Sequence, residues 1–223
     1  MKHLAIAAAV SVFAAGCVQA QSVERTTFDG IVGTHNLDTD GDVEMNGVAV
    51  TLRGRVGGNV EMNGASVDMR ADVAGDVEAN GGSAELNGEI GGRTEVNAGS
   101  ARLMGSYAGP VEVAAGAAEL RGAFANALEI DAGRINFRGE ANGPIRFHGQ
   151  GERHGWRDRG DDSEIRIRGA LNAGGRICAH EVRFESGAVI GGPLEVVADS
   201  PPEFAVGVDQ SRITFVQRDG RCD

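Results

Sequence analysis

The sequence predicts an all-β fold, a single-stranded parallel β-helix (β-solenoid) of about nine coils, from three observations. First, Gly-x-Val-Glu-x-Asn-Gly segments recur at a regular 17-residue spacing. Second, apolar residues within each unit lie two apart, which is typical of β-strands. Third, 35 of the 223 residues are glycine, and a unit this short buries an apolar face only by stacking on copies of itself. The unit starts are Gly41, Gly58, Gly75, Gly92, Gly109, Asn126 and Gly143.

The apolar positions of the unit predict the core of the solenoid. They are the third, fifth, tenth, twelfth and sixteenth positions, and the third position reads Val43, Val60, Val77, Thr94 and Val111. Glycine or alanine recurs at the seventh and fourteenth positions, where we expect the chain to turn because glycine tolerates strained backbone conformations. Residues 41–149 therefore form the regular part of the solenoid, and residues 21–40 read as an N-terminal tail and cap.

Stacking places equivalent side chains above one another at about 4.8 Å. The sixth position becomes an asparagine column, which we expect to hydrogen-bond along the stack. The fourth position becomes an acidic column, and unit charges at this spacing repel by roughly 0.8 kcal/mol per neighbour in water. It predicts a solvated outer face or, alternatively, a surface that binds divalent cations or a basic ligand. The acidic column is Glu44, Glu61, Glu78, Glu95, Glu112 and Glu129, and the asparagine column is Asn46, Asn63, Asn80 and Asn97.

The repeat is interrupted after Phe147. The next strand pattern begins at Ile165 rather than at position 152, which indicates an inserted loop at 150–162. A loop that projects from a rigid scaffold and carries an exposed tryptophan is a candidate binding site, although a disordered polar bulge fits equally well. The candidate binding residues are Arg153, His154, Trp156, Arg157 and Asp158.

Further coils are predicted over residues 163–198, and a C-terminal cap over residues 199–223. The 17-residue spacing of Gly175 and Gly192 predicts that His148 and His180 share one column. Stacked imidazoles near a carboxylate suit a transition metal, but we expect no metal and no cofactor. The cap is indicated by Pro201-Pro202, because proline cannot continue a ladder of hydrogen bonds.

Residues 1–20 have the layout of a secretory signal peptide: a short basic start, an apolar run from Leu4 to Ala15, and small residues after it. Either cleavage follows Ala20, or the segment ending in Cys17 acts as a lipoprotein signal and Cys17 is acylated. Cys178 and Cys222 then remain as a pair in an oxidising compartment, where we expect a disulfide that ties the C-terminal tail to the body.

Glycine-punctuated, valine-rich coils of this kind resemble the bactofilins, which are polymer-forming bacterial β-helix proteins. The pattern is roughly Gly-x-Val-x-x-x-Gly followed by Val-x-Leu-x-Gly-x-Val-Gly over residues 40–198, and it is also similar to adhesin-type β-solenoids. The resemblance implies a right-handed helix, a scaffold at the membrane, and head-to-tail polymerisation without nucleotide. The export signal, the disulfide and the capped C-terminus differ from the bactofilin pattern.

These features predict a noncatalytic structural protein of a Gram-negative cell envelope, in the periplasm or at the outer membrane. Partners would be an envelope protein or a glycan, with membrane contact only through a lipid on Cys17. A net charge of −11 argues against nucleic acid, because phosphate binding needs a basic face. The solenoid allows self-assembly, but the predicted C-terminal cap restricts it at that end. The alternatives are an adhesin or ligand-binding solenoid that uses the inserted loop or the acidic column, and a polysaccharide-acting enzyme with its site at the loop and the histidines.

Overall fold

The computed structural model describes residues 25–149, 163–219 and 222, and the described residues form strands and no helix. No helix suited by length and apolarity to crossing a membrane is found among them. The strands are β1 (Arg25–Thr39), β2 (Asp42–Val56), β3 (Val60–Val73), β4 (Val77–Ile90), β5 (Thr94–Tyr107), β6 (Val111–Phe124), β7 (Leu128–Phe137), β8 (Glu140–Ala141), β9 (Ile145–Gly149), β10 (Glu164–Ile167), β11 (Ala170–Leu171), β12 (Gly175–Ala179), β13 (Glu181–Phe184), β14 (Val189–Ile190), β15 (Leu194–Ala198), β16 (Glu203–Phe204) and β17 (Ile213–Gln217).

All described strands pair in parallel within one continuous sheet, and the regular coils up to Gly149 lie on one another in the predicted register. Val43 pairs with Val60 and Val60 with Val77, so the 17-residue period is confirmed as the length of a regular coil. The solenoid has about eleven turns rather than the nine predicted. The difference arises at the ends, because β1 forms a complete first coil and β17 begins a last one.

The first coil replaces the N-terminal tail and cap predicted over residues 21–40. Arg25 pairs with Asp42 and Thr39 with Val56, so β1 extends the regular ladder over its whole length. Its inward positions depart from the core pattern, because Phe28 and His35 stack there with ring centroids 3.8 Å apart. Because of this irregular inner face, the sequence of β1 does not match the apolar pattern of the later repeat units.

The inward columns form one continuous hydrophobic core along the axis of the solenoid. Met45, Leu52 and Met62 are completely buried, and equivalent residues follow in each later coil. From the fifth to the eighth coil, aromatic rings contact one another within this core: Tyr107 and Phe124 are stacked with centroids 5.0 Å apart, and Phe137 and Phe147 are tilted with centroids 5.7 Å apart. Thr94 is the exception, a fully buried hydroxyl whose Oγ1 has no hydrogen-bond partner among the described residues.

The fourteenth position is a corner that requires glycine in several coils. Gly54, Gly105 and Gly122 have φ angles of 108°, 113° and 154°, in the region that L side chains rarely adopt. A Cβ atom at Gly105 would also lie 2.1 Å from the carbonyl oxygen of Gly88 in the preceding coil. At Gly105, a side chain is therefore excluded both by the close approach of the preceding coil and by the positive φ angle.

The structure confirms the insertion and corrects the register after it. Ile135 pairs with Ile165, whereas an uninterrupted period would pair it with position 152, so the loop at 150–162 is additional to a regular coil. The next coil is also longer than predicted: Ile177 pairs with Val196 rather than with Leu194, because a turn at Gly187 lengthens it. Because the inserted loop shifts the register, Gly175 pairs with Ile145 and so occupies the third position of its coil.

Candidate functional surfaces

The acidic column lies along the outer face of the regular coils, as predicted. Ladder pairing joins Glu44 to Glu61 and Glu61 to Glu78, and the same pairing continues through Glu95 and Glu112 to Glu129. All six side chains are at least partly exposed to solvent. The structure therefore brings six carboxylates into one row.

The asparagine column runs beside this row and hydrogen-bonds along the stack, which confirms the prediction. Asn63 Nδ2 donates to Asn46 Oδ1 at 3.1 Å, and Asn80 Nδ2 donates to Asn63 Oδ1 at 3.0 Å. Each asparagine also donates to the glutamate of its own coil, as Asn80 does to Glu78 at 2.9 Å. The amide dipoles therefore offset part of the repulsion between neighbouring glutamates.

Arginines pair with the glutamates toward both ends of the acidic column. Arg25 lies 3.4 Å from Glu44, and Arg146 lies 3.4 Å from Glu129. Arg93 bridges Glu95 and Glu112. Among the described residues, Glu61 and Glu78 have no arginine partner, so negative charge is concentrated at these two positions.

A shallow groove of about 220 Å³ follows the concentrated charge. Glu44, Glu61, Glu78 and Glu95 line one side of it, and Arg25 and Arg93 also belong to its lining. The other wall is a row of corner residues in which Asp42 Oδ1 accepts from the backbone N–H of Asn59 at 2.7 Å and Asp76 Oδ1 accepts from that of Arg93 at 2.8 Å. The described residues contain no group of three or more His, Cys, Asp and Glu side chains arranged to hold a metal ion.

The corrected register separates the two histidines that were predicted to share a column. His148 stands beside Cys178 in the ladder, and His180 lies two residues further along the chain. Each has its own carboxylate partner: His148 Nδ1 is 2.9 Å from Asp131 Oδ1, and His180 Nδ1 is 2.6 Å from Asp199 Oδ2. The proposed pair of stacked imidazoles is therefore absent, and the metal and enzyme alternatives lose the column on which they depended.

Cys178 and Cys222 form the predicted disulfide, with their Cα atoms 5.7 Å apart. Next to it, the Arg218 guanidinium binds both carboxylate oxygens of Asp199, at 2.6 Å and 2.8 Å. The hydrogen bonds from Arg218 and then from His180 hold the pKa of Asp199 below its usual range, although partial desolvation opposes this. The C-terminal segment is thus attached to the solenoid at two places.

The two ends of the solenoid differ. β1 offers a strand of 15 residues whose only ladder partner among the described residues is β2. Beneath it opens a cavity of about 560 Å³ whose lining includes Phe28, His35 and Met45. The last coil offers only the short strands β16 and β17, separated by an irregular segment.

The remaining predicted site residues lie outside the described residues. These are the inserted loop at 150–162, with Arg153, His154, Trp156, Arg157 and Asp158, and the signal segment with Cys17. The structure therefore leaves both as predictions.

No family model, curated protein or solved structure matches this chain. Function is therefore inferred from the geometry of the molecule itself.

Sequence reasoning missed the cations that pair with the acidic column and the contact that holds the C-terminal segment. Arg25 and Arg93 lie two positions before the glutamates in the repeat, and only the coil geometry shows that they reach the column. The repeat could not predict the contact of Arg218 with Asp199, because Arg218 follows the last strand and belongs to no repeat unit. The outward sixth position holds asparagine in the early coils but Cys178 and Val197 in the late ones. Apolar residues at an outward position indicate that another segment covers them, and both residues are buried.

Proposed function

We propose that this protein is a noncatalytic scaffold of the bacterial cell envelope that assembles through the N-terminal end of its solenoid. The observation that carries the proposal is the edge of β1, which has no ladder partner other than β2 among the described residues, because an unpaired strand edge is a template for pairing with another chain. A relationship to the bactofilins or to adhesin-type solenoids is part of this proposal, as is export to the periplasm or outer membrane. The disulfide is compatible with export.

A second copy of the chain is the partner that fits this end. Ile31 and Val32 are about three-quarters exposed, and Val48 beside them in the next coil is also exposed. In the four coils that follow, the position of Val48 is occupied only by alanine or glycine, so large apolar side chains on this face are confined to the open end. Such a patch favours association between protein surfaces.

The unequal ends favour a closed dimer over an open filament. Two copies that meet through their β1 edges are related by two-fold symmetry, and this contact buries the N-terminal edge of both copies. The C-terminal end offers a five-residue strand, β17, and Pro201 and Pro202 interrupt the chain before it. Growth beyond the dimer would therefore lack a long edge on which to continue.

Sedimentation analysis across low to high micromolar concentrations tests this proposal. We expect a dimer whose dissociation constant rises at least about tenfold when Ile31→Asp and Val32→Asp are combined, because two charges are placed in the apolar contact. Val206→Asp is the matched control, since Val206 is a fully exposed valine near the other end. A monomer at every concentration, or a dimer weakened equally by the control, would contradict the proposal.

Mass analysis of the mature N-terminus decides between cleavage after Ala20 and acylation of Cys17.

Binding of cations along the acidic column is a second candidate function. It is favoured by the groove beside Glu61 and Glu78, the two glutamates of the column with no arginine partner among the described residues. Calorimetric titration with calcium measures such binding directly. We expect the heat to be lost in Glu61→Gln combined with Glu78→Gln and retained in Glu129→Gln, because Glu129 is already paired with Arg146. No heat with the unmodified protein would exclude this function.

A further inference from the structure

The C-terminal strap, which we define as Arg218, Asp219 and Cys222, is attached to the outer side of β12 and β15. The backbone N–H of Arg218 donates to the Ala198 carbonyl at 2.8 Å, and its guanidinium binds Asp199. Cys222 is bonded to Cys178 in the coil below. The strap thus has a polar anchor at one end and a covalent anchor at the other.

The outer face beneath the strap differs from the same face elsewhere in the solenoid. The sixth position of the coil points outward, and side chains there are normally polar and partly exposed, as His148 is. Cys178 and Val197 occupy this position in the two coils next to the strap, yet they are 4% and 8% exposed. We attribute their burial to the strap, whose Arg218 side chain is itself only 5% exposed.

The two sulfurs of the disulfide are unequally accessible. Cys178 lies in a strand with neighbours on both sides, β9 and β15, and is buried. Cys222 is partly exposed and follows the last strand. A thiolate that approaches from solvent therefore meets the sulfur of Cys222 first.

Opening this bond does not remove any strand from the solenoid. β12 keeps its ladder pairs with β9 and β15, and β17 keeps its pairs with β15. Among the described residues, the strap is the part that the disulfide fixes directly, and Arg218 still holds it through the ion pair with Asp199 and the backbone hydrogen bond to Ala198. Segments of this kind open locally without global unfolding.

We propose that the Cys178–Cys222 bond is a thiol–disulfide exchange site through which a dithiol reductant releases the C-terminal strap. The first thiolate of the reductant attacks Cys222 Sγ, the S–S bond breaks, and its electron pair leaves on Cys178 Sγ, which takes up a proton. The second thiolate attacks the reductant's sulfur in this mixed disulfide and expels the Cys222 thiolate. The reductant is oxidised to its disulfide, and the protein gains two thiols.

Release of the strap exposes an apolar strip on the outer face. Cys178 and Val197 become accessible beside His148 and Asp199. The exchange thus converts a covered face of the solenoid into an open one. It leaves the N-terminal end unchanged, so it does not depend on the proposed assembly.

The direction of attack is tested with the full chain carrying Cys17→Ser, which leaves Cys178 and Cys222 as the only thiols. The native protein is exposed briefly to glutathione, quenched with acid, alkylated and analysed by peptide mass. We expect the glutathione adduct on Cys222 and the alkyl group on Cys178. An adduct mainly on Cys178 would overturn the proposed direction of exchange.

Release of the strap is tested by reduction with dithiothreitol and by the variant Cys222→Ser. In both, we expect Cys178 to be alkylated within about tenfold of its rate in the urea-unfolded protein. We expect tryptic cleavage after Arg218 to be at least about tenfold faster than in the oxidised protein, while the far-UV circular dichroism stays that of the folded solenoid. The oxidised protein is the control. If the bond is reduced only in denaturant, or if Cys178 stays protected in Cys222→Ser, the strap is a permanent structural element and the proposal fails.

Discussion

Thr94→Val tests the inference that the Thr94 hydroxyl is buried in the core of the solenoid without a hydrogen-bond partner among the described residues. Thr94 is completely buried, and its Oγ1 has no hydrogen-bond partner among the described residues. Its neighbours in the column, Val77 and Val111, are valines that are 2% exposed. A valine therefore has the shape that this position accepts.

The size of the effect follows from the cost of burying a polar group. An unpaired buried hydroxyl costs about 1–3 kcal/mol, and valine replaces it with a methyl group of nearly the same volume. We expect Thr94→Val to stabilise the folded protein by about 1–3 kcal/mol. For a chain of this size, this corresponds to a rise in the thermal midpoint of about 2–12 °C.

Thermal unfolding followed by circular dichroism measures this change. Thr51→Val is the matched control, because Thr51 faces outward and is partly exposed, and its substitution should change stability by less than about 0.5 kcal/mol. A Thr94→Val variant that unfolds at or below the midpoint of the unmodified protein would refute the reasoning. It would indicate that the hydroxyl is satisfied by a group such as a buried water.

Three further predictions address the corners, the asparagine column and the strap. Gly105→Ala should destabilise the solenoid by about 2 kcal/mol or more in urea unfolding, because the new Cβ meets the Gly88 carbonyl; Gly187→Ala, which shares a positive φ but has no atom within 4 Å, should cost only about 1 kcal/mol. Equal losses would refute the clash. Asn80→Asp should destabilise by about 1–2 kcal/mol, and more at low ionic strength, because it removes the amide donor between Glu78 and Asn63 and adds a like charge; a loss that salt does not change would contradict the electrostatic part. The pKa of Asp199 is lower in the folded protein than its usual 3.8, so its contribution is complete above that pH and is lost as the pH falls through the depressed value. The protection factor of the Arg218 backbone N–H in hydrogen exchange should therefore fall only below about pH 4 in the unmodified protein and should already be low at neutral pH in Asp199→Asn.

The repeat carried most of the fold prediction, and its failures have physical reasons. Val43, Val60 and Val77 stack as predicted because equal coils leave only one register in which every apolar side chain points inward. The coil after the insertion was misjudged because Gly175 and Gly192 keep a 17-residue spacing by coincidence. The inserted loop shifts the register so that Gly175 lies over Ile145 and His180 falls outside the column of His148, and the turn at Gly187 then lengthens the step to β15.

The sequence by itself determined the coil length, the inward columns and the rows of Glu and Asn, because these depend on a period that is repeated along the chain. Only the tertiary structure decided which glutamates are neutralised and what covers Cys178. Long arginine side chains such as Arg93 reach into the next coil, and the strap comes from residues outside the repeat. A periodic pattern specifies what lies directly above and below a residue, whereas contacts made sideways between columns, or by non-repeating segments, depend on the three-dimensional path of the chain.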